Sequence, residues 1–171
     1  MRTLLSVLCA SSFAAAQAQL RSFETQQLSD VFFCEGATFG DLNRDGKADA
    51  IAGPYWYEGP DLKTRHELYT PAKFDTAGYS DNFFAFVHDF DADGWNDVLV
   101  IGFPGQKATW YENPRDASKQ WIPHVVFDGV DNESPAFTDL TGDGKPELVC
   151  QHDDRLGYAL VDWSHPAEPW Q

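Results

Sequence analysis

Three nine-residue stretches carry the residues best suited to chemistry. Asp89-Phe90-Asp91-Ala92-Asp93-Gly94-Trp95-Asn96-Asp97 places carboxylates at positions one, three, five and nine around a glycine at six. Asp41-Leu42-Asn43-Arg44-Asp45-Gly46-Lys47-Ala48-Asp49 repeats that spacing, with Asn43 at position three. Asp139-Leu140-Thr141-Gly142-Asp143-Gly144-Lys145-Pro146-Glu147 repeats it again, with Thr141 at three and Glu147 at nine. Alternate side chains of so short a loop converge on one point, and hard oxygen donors converging there suit calcium, which takes six to eight oxygens at about 2.3–2.6 Å. The expected metal ligands are Asp41, Asn43, Asp45 and Asp49; Asp89, Asp91, Asp93 and Asp97; and Asp139, Thr141, Asp143 and Glu147. The backbone carbonyls of Lys47, Trp95 and Lys145 fill position seven. Two to three calcium ions are expected, the third loop having the weakest donor set. Gly46, Gly94 and Gly144 stand where the chain must turn sharply, in a conformation open to glycine. An EF-hand would place glutamate at position twelve and continue as a helix. Val100 stands there, within the apolar run Val98-Leu99-Val100-Ile101, so the loop is read as entering a buried strand.

The elements that position these loops recur with them. The loops begin at residues 41, 89 and 139, and a spacing of this size is that of a four-stranded propeller blade. Residues 34–40, 81–88 and 132–138 read as strands entering the loops. An aromatic strand follows in the first two units, Trp56-Tyr57-Glu58 and Trp110-Tyr111-Glu112, and then a histidine-bearing strand, His66-Glu67-Leu68-Tyr69 and His124-Val125-Val126-Phe127. Trp56 and Trp110 are expected in the blade core. His66 and His124, recurring at equivalent places, are expected to pack or to hydrogen-bond. The third unit has an aromatic strand at 157–161, no residues for a fourth strand and a loose segment over 166–170, while 23–28 is expected to supply an outer strand. The fold class is therefore all-β, a propeller of four-stranded antiparallel blades with about three blades present. Three blades do not close a ring, so the chain is read as part of a longer one, with six or seven blades.

Composition limits the partners. The formal net charge is −15, which disfavours nucleic acid and anionic membranes. Ten of the 27 acidic residues lie in the three loops, so the acidity is largely that of the cation sites. Residues 1–18 read as a signal peptide: Arg2, the apolar run 4–10, and Ala16-Gln17-Ala18 as the cleavage pattern. The mature segment is then 19–171, secreted or periplasmic, with no stretch long enough to span a membrane. Cys34 and Cys150 are compatible either with a bridge or with two free thiols. No nucleophile elbow, P-loop, dinucleotide fingerprint or HExxH motif is present.

These residues resemble the FG-GAP/VCBS repeat family, β-propeller repeats similar to those in the heads of integrin α chains. The likeness is carried by Asp-x-Asn/Asp-x-Asp-Gly-x-x-Asp in the loops and by Phe39-Gly40 and Gly53-Pro54. It implies that each loop joins the innermost strand of a blade to the next, so that the starts of the inner strands lie at the opposite end, beside the channel. There it puts a ligand rim of Glu35, Asn82, Glu133 and His152, able to take a second metal or a sugar. The implied activity is a structural or binding module for a protein or carbohydrate ligand. The Trp-Tyr-Glu repeats and Asn132-Glu133-Ser134-Pro135 are also similar to the propeller part of aldos-2-ulose dehydratases. That likeness implies the alternative of a metal-dependent carbohydrate lyase with its site at the channel. No catalytic residue is assigned.

Overall fold

The computed structural model describes residues 24–171, and the segment read as a signal peptide lies outside them. The described residues form eleven strands in three antiparallel sheets, with no helix among them. The first sheet runs β1 (Ala37–Gly40), β2 (Asp49–Ala52), β3 (Tyr55–Tyr57), β4 (Arg65–Glu67) in spatial order. The second runs β5 (Phe84–His88), β6 (Asp97–Ile101), β7 (Gln106–Glu112), β8 (Ile122–Val130). The third holds β9 (Ala136–Thr138), β10 (Glu147–His152) and β11 (Arg155–Ala159) and has no fourth strand. This is a partial β-propeller of three blades, the third incomplete as expected.

Register places the acidic loops at one end of the blades. Gly40 pairs with Asp49 and His88 with Asp97, so both loops close the same end of their sheets. Ala37 and Ala52, like Phe84 and Ile101, pair at the other end, where the turns after β2 and β6 also lie. β6 is buried along its whole length, which is why it reads as an unbroken apolar run.

Apolar side chains fill the seams between blades. Leu42, Ile51, Trp56 and Leu68 of the first blade pack with Ala85, Val98, Val100 and Trp121 of the second. Phe90, Leu99, Ile101 and Trp110 pack with Leu148, Cys150, Ala159 and Trp170 across the next seam. The inner strands approach so closely that the amides of Glu35 and Gly36 both donate to the Asn82 carbonyl, at 3.1 and 3.2 Å. Cys34 and Cys150 are free thiols, and burial, then the neighbouring Glu35 charge, pushes that of Cys34 up to about 11.

Two expectations require correction. Residues 24–28 form no strand: Gln26 donates to the Asp61 carbonyl at 2.8 Å, and Leu28 packs on Phe33, Tyr55 and Tyr57. The run Glu24-Thr25-Gln26-Gln27 is exposed throughout and lacks the apolar alternation that would seat it on the edge of β4. Nor is the end of the chain loose. Trp170 is buried and its amide donates to Val126 at 2.7 Å, while Gln171 and Leu160 exchange backbone bonds of 2.6 and 3.1 Å. The indole supplies the apolar area that a three-stranded blade lacks on that side.

A β-carbon on Gly36 would run into the backbone of Phe83 and Phe84, which cannot yield as a side-chain tip would. Gly36→Ala is therefore expected to cost about 1–3 kcal/mol in urea unfolding. Gly78→Ala, whose added carbon would meet only the Asp75 carbonyl at 3.6 Å, should lie within about 0.5 kcal/mol of the parent.

Candidate metal loops and ligand face

The three acidic loops share one backbone. Their position-six glycines, Gly46, Gly94 and Gly144, have φ of 82, 87 and 87°. Position four is left-handed as well, with φ of 61° at Arg44, 58° at Ala92 and 80° at Gly142, a constraint that sequence reading did not recognise although the third loop answers it with glycine. The position-one carboxylate accepts the amides of positions five and six in every loop: Asp41 from Asp45 and Gly46, Asp89 from Asp93 and Gly94, Asp139 from Asp143 and Gly144, at 2.8–3.1 Å. Asp45, Asp93 and Asp143 each accept the amide two residues on, at 2.7–2.9 Å.

Position nine does more than the spacing indicated. Asp49, Asp97 and Glu147 are 0, 1 and 3% exposed. Asp97 accepts the Phe90 amide at 3.1 Å with one oxygen and the Asn113 amide at 2.8 Å with the other. Asp49 takes Leu42 and Gly59 in the same way, at 2.8 and 2.9 Å. Each thereby ties the start of its loop to the turn after the aromatic strand. Glu147 turns both oxygens back on its own loop, to Leu140 and Thr141. Burial pushes the Asp97 carboxyl up to about 7, against the pull of those two amides.

Two groups of carboxylates converge among the described residues: Asp89 with Asp91 and Asp97, and Asp139 with Asp143 and Glu147, their oxygens within 4.8 Å of one another. Asp93 turns instead to the Arg115 guanidinium, which also lies 4.0 Å from Asp91. In the first loop Asn43 replaces one carboxylate, and Asp45 faces Lys47 at 3.7 Å. All the donors are hard oxygens, and a carboxylate oxygen that accepts one amide keeps a lone pair for a cation. The donor set therefore fits calcium. Neighbouring loops are also linked: Arg44 lies over the Trp95 ring at 5.4 Å, Asn96 donates to the Asp41 carbonyl, and Asn113 donates to that of Leu42, both at 2.9 Å.

The rim residues stand at the opposite end of the blades. Glu35 accepts the Ser80 amide at 3.1 and 3.2 Å and the Ser80 hydroxyl. Asn82 is buried and donates to the Tyr69 hydroxyl at 2.9 Å. His152 donates from Nδ1 to the Gly129 carbonyl at 2.8 Å, and Glu133 is exposed. Two features there were not anticipated. Tyr79, Phe83 and Phe103 form a partly exposed aromatic cluster with centroids 5.3–5.8 Å apart, and a cavity of about 490 Å³ opens beside it between the first two blades. His66 and His124 do have the expected repeated role: they stack on Trp56 and Trp110 at 4.3 and 4.6 Å and pair with Glu58 and Glu112 at 2.7 and 2.9 Å.

Comparison with known families bears on the same residues. A family model described as an FG-GAP-like repeat matches residues 89–150, from position one of the second loop to β10. This chain carries an FG-GAP-like repeat. The match spans two of the three loops, and the first loop has the same hydrogen-bond frame. No curated protein and no solved structure matches the chain. FG-GAP-like repeats in an all-β, propeller-type frame make this a binding-module architecture, and no helix of the described residues is long and apolar enough to cross a membrane.

Asp97 accepts the amides of Phe90 and Asn113, and a buried unpaired amide costs about 1–3 kcal/mol. Asp97→Ala is therefore expected to lose about 2–5 kcal/mol in chelator, measured by urea unfolding. Asp93→Ala, which breaks a half-exposed ion pair with Arg115, should lose less than half as much there.

Proposed function

We propose that this FG-GAP-repeat chain is a secreted, calcium-stabilised β-propeller module that binds a protein or carbohydrate ligand on the end opposite its acidic loops. The observation that carries the reading is the convergence of Asp89, Asp91 and Asp97, and of Asp139, Asp143 and Glu147, within 4.8 Å. Like charges so close repel in the absence of a cation, and a divalent ion removes that repulsion while joining the loop to its strand. Asp41, Asn43, Asp45 and Asp49 form a further site, with the carbonyls of Lys47, Trp95 and Lys145 completing the three shells. Asp93 moves from Arg115 to the ion when it binds. Secretion rests on the charged, apolar and small-residue order of 1–18, and extracellular calcium suits loops of this donor type.

The ligand end is supported by contrast with the loop end. Carboxylates engaged by backbone amides occupy the loops, whereas the opposite end offers exposed aromatic rings, with Tyr79 at 65%, and a cavity. Clustered exposed aromatic area at one end of a soluble fold is a mark of recognition.

Calcium should raise the melting temperature of the full chain and chelator should reverse it; at a concentration 100 times Kd the gain is about 2.7 kcal/mol per site. Asp89→Asn with Asp139→Asn is expected to remove most of the rise while leaving the chelated protein near the parent. An equal rise in that double variant would overturn the assignment of the loops.

A further inference from the structure

Resting on that binding-module reading, we infer that the interblade cavity is a saccharide site for a neutral sugar of about one or two rings. Its volume of about 490 Å³ falls within the roughly 300–1,000 Å³ range of small-molecule pockets. Phe33 and Phe74 form apolar walls, and Tyr69 and Tyr111 bring phenol groups from different blades. The two tyrosine rings stack at 4.9 Å and 24° across the blade seam, which fixes both hydroxyls without a flexible linker. Asp81 and Gln106 complete the polar lining.

The hydrogen-bonding capacity of these groups selects the ligand. The Tyr69 hydroxyl accepts from Asn82 at 2.9 Å, so its proton is left to donate. Tyr111 feels the Asp81 charge, and burial, then that charge, raises its phenol above the usual range. Asp81 lines the cavity; burial raises its carboxyl, with Glu35 adding to the effect. The cavity thus presents two phenol donors, a carboxylate acceptor and an amide that both donates and accepts. A sugar hydroxyl is the common group that donates and accepts at once, and the C–H face of a pyranose suits the aromatic walls. Lys107 lies 3.7 Å from Asp128 at the rim and is offset by it, leaving Asp81 uncompensated. That charge disfavours acidic sugars. A simple ammonium ion would use Asp81 but leave both phenol protons without an acceptor.

The test is saturation-transfer NMR and calorimetry on the full chain in calcium, with maltose, cellobiose, lactose and xylobiose as neutral probes, glucuronic acid as an acidic one and tetramethylammonium as a cationic one. Binding of at least one neutral disaccharide is expected, weakened tenfold or more by Asp81→Asn and by Tyr111→Phe, which keeps the ring, and unchanged by Glu168→Gln, an exposed residue outside the cavity and the rim. Absence of binding by every neutral probe, tighter binding of tetramethylammonium, or indifference to both cavity variants would overturn the inference. Calcium-dependent melting of the same samples separates the two readings. A normal calcium response without sugar binding overturns this site alone, whereas sugar binding without a calcium response overturns the metal assignment and leaves the cavity standing.

Discussion

Each blade depends on one buried carboxylate at the end of its acidic loop. A charge taken out of water is costly unless it is paired or hydrogen-bonded, and Asp97 meets that demand by accepting amides from Phe90 and Asn113. In doing so it fixes three things together: the start of the loop, the first residue of β6 and the turn after β7. Asp49 repeats the arrangement one blade earlier. The loop is therefore a structural corner as well as the proposed cation site, and its acidic residues divide the two tasks. Position nine holds the fold, while positions one, three and five stay near the surface, where a cation can reach them.

The corners are joined to one another. Asn113 is held by Asp97 through its backbone and reaches with its side chain to the carbonyls of Asn96 and Leu42, at 2.8 and 2.9 Å. Leu42 is itself held by Asp49. A hydrogen-bonded chain thus runs from the second loop into the first, beneath the Trp56 and Trp121 side chains of the seam. Shared buried networks of this kind couple their members, so order gained in one loop is passed to its neighbour. The third loop stands apart, since Glu147 bonds only within its own loop.

What could be read from the sequence was what repeats locally. The loops, the strands on either side of them and the Trp-His pairs lie within short spans whose spacing states their geometry, and blade order follows from antiparallel neighbours. The role of position nine was not legible, because its partners Gly59 and Asn113 lie 10 and 16 residues further on and contribute only backbone amides, which any residue offers. The cavity was hidden for a related reason. Phe33, Tyr69, Asp81 and Tyr111 come from a leading segment, a blade connection, the entry to β5 and β7, and they share no motif. Residues 24–28 misled because blade counting calls for an outer strand, whereas only their apolar member, Leu28, finds a surface to cover.

The acidic loops and the proposed ligand end are physically separate even though β6 joins them. From Asp97 to Gly102 the strand advances five residues, about 17 Å at 3.3 Å per residue. Charge is screened over about 8 Å at physiological ionic strength, so an ion in the second loop exerts little direct electrostatic force on a ligand beside Gly102. Any influence passes through the backbone: the loop sets where β6 begins, and β6 carries Val100, and Gly102 just after it, to the cavity wall. On the proposed reading, calcium at one end would act on ligand binding at the other by fixing how two blades meet. That effect scales with the order of the seam and is independent of the sign of the ligand's charge.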